Sequence, residues 1–134
     1  MKTRVLDSWA ILEWMAGRSP ASDHVERLLR EAETGHVRLL MSAINVGEGY
    51  YFLRKHHNES LAESWREASC TLPVTIEVPT TDDIWNAATL KSQFPIAYAG
   101  AFAAALAQKY NCLLVTGDPE LRRLDRLEVD WLGH

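Results

Sequence analysis

The stretch PIAYAGAFAAALAQKYNCLLVTGD, residues 95–118, holds the unit from which the architecture follows. Its first part is rich in alanine and carries Phe102 and Leu106, which predicts a helix over 97–109 just after Pro95. Its last part, CLLVTGD, predicts a strand that runs into a turn and ends on an acid, Asp118. Gly100 stands out in this helix. A glycine inside a helix costs about 1 kcal/mol relative to alanine, and alanine surrounds it. Three accounts are open: close packing, a late helix start, or the loss of a functional side chain.

Upstream, RVLDS predicts a first strand ended by Asp7, and WAILEWMAG a helix that Gly17 ends. SPASDHVERLLREAETG repeats Val25, Leu28, Leu29 and Ala32 at helical spacing. VRLLMS predicts a second strand, AINVGEGYYFLRKHH and ESLAESWREAS two further helices, and VTIEVP a third strand. TDDIWNAATLKSQF opens on capping residues. After Asp118, PELRRL predicts a short helix with proline at its first position, and LEVDWL a weak last strand. Strands alternating with helices predict an α/β fold, a three-layer α/β/α sandwich around a parallel sheet of four to five strands. Residues 1–134 fit a single domain. Some connections hold two helices, which excludes a minimal flavodoxin-like pattern.

Composition narrows the function classes. Hydrophobic residues make up 47% and charged residues 24%, an ordinary globular balance. The net charge of −4 argues against nucleic-acid binding by global charge, so a nucleic acid would have to be met by a local basic strip or through a metal ion. Cys70 and Cys112 form no CxxC pair, which suggests a reducing, cytoplasmic setting. The opening MKTRVLDSWAILEWM reads neither as a signal peptide nor as a membrane span.

Ligands of parallel sheets sit beyond the carboxyl ends of the strands, so the acids there are the candidates. Asp7 closes the first strand and Asp118 the fourth. Either acid alone reads as a helix cap. Glu48 is the sole charge in AINVGEGYYFL, flanked by Gly47 and Gly49, which weaken the helix and clear space around a carboxylate. Three carboxylates near one point repel, and a hard divalent cation such as Mg²⁺ or Mn²⁺ resolves the conflict. No His or Cys spacing supports zinc. His56 and His57 read as solvated charge at a helix end, and His134 as a loose terminus. A phospho-receiver domain would want adjacent acids after the first strand, and a haloacid-dehalogenase-like phosphatase Asp-x-Asp, whereas Asp7-Ser8-Trp9 supplies neither.

Taken in order, VLDSWAIL, SAINVGEGYYFLRK, YAGAFAAALA and LLVTGDPEL make the chain resemble the PIN-domain family, and within it the VapC-type toxin ribonucleases. The resemblance covers nearly the whole chain. It implies metal-dependent endoribonuclease chemistry, in which metal-activated water cleaves RNA phosphodiester bonds. Asp7, Glu48 and Asp118 would be catalytic and hold Mg²⁺ or Mn²⁺. The third motif departs: Tyr98-Ala99-Gly100-Ala101 has Gly100 where the family carries a metal-ligating Asp. That implies impaired activity, or alternatively a catalytically inactive PIN scaffold that binds a protein. Ser8, Asn45, Thr116, Arg122 and Arg123 are possible substrate contacts, the first three equally well read as turn or helix-start residues and the arginines, with Arg126, as a solvated face. Trp9, Trp14 and Tyr98 could stack a base, and helical spacing with Leu12 favours a core or interface role for the tryptophans. The implied partners are a VapB-like antitoxin, RNA and a second copy of the chain, the last through Tyr50, Tyr51, Phe52 and Trp65.

Overall fold

A computed structural model describes residues 1–124 and 126–133, so the reading of His134 lies outside the described residues. In chain order the elements are β1 (Lys2–Leu6), α1 (Ser8–Ala16), α2 (Ala21–Glu33), β2 (Val37–Ser42), α3 (Ala43–His56), α4 (Glu59–Thr71), β3 (Val74–Glu77), α5 (Thr81–Gln93), α6 (Tyr98–Lys109), β4 (Leu113–Thr116), α7 (Pro119–Arg122) and β5 (Val129–Trp131). The helices start and stop where local chemistry dictates. Gly17 takes a left-handed conformation, φ 68°, and closes α1. Thr80 and Asp83 form a reciprocal capping box at the start of α5.

The five strands are all parallel and ordered β3-β2-β1-β4-β5. Strand side chains alternate between the two faces. Leu6, Leu39, Met41 and Val115 face one core with Ile11, Val25, Leu29 and Trp65. Val5, Leu40 and Leu114 face the other, with Phe102, Leu106 and Leu121. Helices α1 to α4 supply the first core and α5 to α7 the second, which makes the expected three layers. A sheet covered on both faces explains the apolar runs 39–41 in β2 and 113–115 in β4.

Helix α6 is buried on nearly every side, from Gly100 to Ala107. Small side chains let it lie close to the sheet and to α3 and α5. Gly100 is its third residue, so a late helix start does not account for the glycine. A Cβ built there would meet the Leu121 side chain at 3.4 Å, an ordinary contact, so close packing does not require glycine either. Gly100→Ala is therefore expected to raise stability by about 0.5–1 kcal/mol through reduced backbone entropy of the unfolded chain. Urea denaturation measures it, and a loss of stability would restore the packing account.

Two expectations need correction. Gly49 does not clear space for Glu48. A Cβ at position 49 would stand 3.1 Å from Nε1 of Trp65, whose N–H donates to the Val46 carbonyl at 3.0 Å, so this glycine lets α4 approach α3. Trp65 is buried in the first core and is closed to any partner, whereas Tyr51 is half exposed. No helix among the described residues is long and apolar enough to cross a membrane.

Candidate active site

The strand order reverses between β1 and β4, and that is where a crevice opens at the carboxyl edge of a parallel sheet. Asp7 leaves β1 there, almost fully buried. Its carboxylate accepts the Ala10 N–H at 2.9 Å and the Thr116 hydroxyl. Thr116 ends β4, is wholly buried, and accepts the Asp118 N–H at 3.0 Å. One hydroxyl thus links the two acids that the strands deliver. Both acids are also helix caps, Asp7 for α1 and Asp118 for α7, where it accepts the Glu120 N–H at 3.0 Å. The cap reading holds for both, yet capping alone does not explain why Asp7 is buried with a second partner.

Glu48 projects from α3 and accepts the hydroxyl of Ser8, the residue after Asp7. It therefore stands on the same side of the sheet as Asp7. On α6, a Cβ at position 100 would face the side chain of Leu121, three residues past Asp118. Asn45, one turn before Glu48, donates from Nδ2 to the Ala99 carbonyl at 2.9 Å. Ser42, not Asn45, caps α3.

Burial is the main force on Asp7. The carboxyl stands raised from 3.8 to about 7, the balance of that burial, the Thr116 and Ala10 hydrogen bonds that lower it, and the negative charges of Asp118 and Glu48 that raise it. Among the described residues, no three His, Cys, Asp or Glu side chains close on one point as a finished metal cage would. The donor chemistry nonetheless fits a hard cation. Every candidate donor is a carboxylate oxygen, and the acids feel one another's charge.

The proposed substrate contacts divide. Asn45 and Thr116 are fully buried and cannot touch a polynucleotide where they stand; each instead holds other parts of the site in place. The Ser8 hydroxyl is taken by Glu48. Arg122 is exposed and its guanidinium lies over the Trp131 ring at 4.5 Å, and Arg123 is exposed beyond α7. Trp14 is tied to Glu26 through its indole N–H at 2.7 Å, and Tyr98 is about half exposed.

One feature escaped the sequence reading. A Cβ at Gly117 would lie 2.3 Å from Cη2 of Trp9, so the indole occupies the space a side chain would take between Thr116 and Asp118. A glycine set between a buried hydroxyl and an acid was the available signal. Gly117→Ala should displace the indole and cost about 1–3 kcal/mol. Tryptophan fluorescence and urea denaturation report both, and an unchanged spectrum with unchanged stability would contradict this packing.

A family model described as the PIN domain matches residues 4–127. The chain belongs to the PIN-domain family. No curated protein sequence matches it. Among solved structures, this PIN domain is similar to the DNA-bound VapBC of Salmonella typhimurium, with TM-score 0.75, 15% identity, and coverage of 98% of this chain and 99% of that one. It is similar to VapBC2 of Rickettsia felis bound to a promoter DNA fragment, with TM-score 0.73, 16% identity, and coverage of 96% and 97%. It is also similar to VapC20 of Mycobacterium tuberculosis, described as a toxin cleaving the sarcin-ricin loop, with TM-score 0.70, 15% identity, and coverage of 88% and 92%. At such identities the likeness is one of fold.

Proposed function

We propose that this single PIN domain is a VapC-type toxin ribonuclease whose hydrolytic site lacks one acid, at Gly100. The observation that carries the reading is the linked set Asp7–Thr116–Asp118 with Glu48 beside it, at the carboxyl edge where strand order reverses. A buried carboxylate beside two further acids is costly for stability and useful for holding charge.

Asp7, Asp118 and Glu48 would hold Mg²⁺ or Mn²⁺. When bound, such a cation supplies an activated water and neutralises charge on the phosphate. The chain's own residues do the rest. Thr116 fixes the Asp7 carboxylate and the Asp118 backbone in one arrangement. Ser8 orients Glu48. Arg122 and Arg123 lie exposed just past Asp118, placed to meet phosphates of an RNA strand. The partners are a VapB-like antitoxin, whose arginine could pair with the acids, and a second copy of the chain.

Gly100 favours a second reading, an inactive scaffold that keeps the protein-binding surface and has lost cleavage. Restoring the acid separates the two. The Gly100→Asp variant is expected to cleave RNA with Mn²⁺ and to stop when the ion is chelated. A variant that cleaves no RNA with Mn²⁺ present would favour the scaffold.

A further inference from the structure

Asn45 is the one buried polar residue of this region whose two ends are treated differently. Its Nδ2 reaches across from α3 to the Ala99 carbonyl, 2.9 Å away. A carbonyl only accepts, so the atom facing it is the amide nitrogen and the side-chain orientation is fixed. The other end, Oδ1, is buried and finds no partner among the described residues. An unpaired buried acceptor costs stability, and a residue chosen only for packing would not carry one. The first turn of α6 has, moreover, no side-chain cap: Ala97 precedes it and offers none.

We infer that Asn45 is a positioning residue: it clamps the first turn of α6 to α3 and so sets position 100 against Glu48. Asn45 and Glu48 lie three residues apart on α3 and share a face. Its hydrogen bond ends on Ala99, directly before position 100. An acid at 100 would be held in place by this contact, and in the present chain the clamp remains while the acid is missing. The inference rests on the proposed hydrolytic site.

The test is a calorimetric Mn²⁺ titration of four proteins: the chain, Asn45→Leu, Gly100→Asp, and the double variant. Gly100→Asp should bind Mn²⁺ more tightly than the chain, and the double variant should lose about 10–100-fold of that affinity. Without an acid at 100 there is nothing to place, so Asn45→Leu alone should stay within about threefold of the chain. The inference is overturned if the double variant binds as tightly as Gly100→Asp. It is also overturned if Asn45→Leu weakens binding equally in both backgrounds, which is what a merely structural role does. If Gly100→Asp itself fails to tighten Mn²⁺ binding, the hydrolytic site falls and the role of Asn45 with it. Should Asn45→Leu not fold, Asn45→Ser, which cannot span to Ala99, is judged by the same comparison.

Discussion

Asp7→Asn should make this protein more stable at pH 8 by about 2–4 kcal/mol, with the gain shrinking towards zero near pH 4. The reason is the raised Asp7 carboxyl, at about 7 in the fold against 3.8 as the ordinary value. Between those two pH values the folded chain keeps a proton that the unfolded chain has released. Stability therefore falls as pH rises through this window, and above it the full penalty of about 4 kcal/mol applies. Asparagine carries no charge at any pH and still offers an oxygen to the Ala10 N–H. It loses the good acceptor for the Thr116 hydroxyl, which returns about 1 kcal/mol. Urea denaturation at pH 4 and pH 8, with chelator present, measures both limits. Equal stability of the two proteins at pH 8 would show that Asp7 is not held against its preference to ionise.

Gly100→Asp carries the second large effect, and its sign depends on the cation. The new carboxylate starts well placed for its helix, third in α6 and near unpaired N–H groups, worth about 0.3–1 kcal/mol. It also brings a further negative charge to acids that already repel. Charges about 4 Å apart at the effective dielectric of a protein surface interact by about 4 kcal/mol. With chelator, Gly100→Asp should therefore be no more stable than the chain despite the better helix residue. With Mn²⁺ the repulsion becomes attraction to the ion, and affinity should rise at least about tenfold, or about 1.4 kcal/mol. Melting temperatures with and without Mn²⁺ check the reversal. A variant that Mn²⁺ stabilises no more than it stabilises the chain would place position 100 outside the site.

The order of elements was open in the sequence because local signals agreed with the fold. Gly17 ended α1, the run Thr81-Asp82-Asp83 marked the start of α5 to within one residue of its cap at Thr80, and the apolar runs of β2 and β4 marked strands. Asp7 and Asp118 stood out as acids at strand ends, and Glu48 as a lone charge on α3. Contacts between distant elements were not open. Nothing local says that Gly49 serves Trp65, that Gly117 serves Trp9, or that Asn45 reaches Ala99, because each depends on how two helices or a helix and a loop come together. Thr116 shows the same limit: a threonine before a glycine reads as a turn residue until β1 brings Asp7 to its hydroxyl. Gly100 was legible as an anomaly from composition alone, but only the contact with Leu121 separates a glycine that packing demands from one that it does not.

The most direct test of the central claim is the rate of Mn²⁺-dependent RNA cleavage by three proteins: the chain, Gly100→Asp, and Gly100→Asp combined with Asp7→Asn. An incomplete carboxylate site predicts slow or no cleavage by the first, faster cleavage by the second by about a hundredfold or more, and a return to background in the third. Equal rates in all three proteins would contradict it.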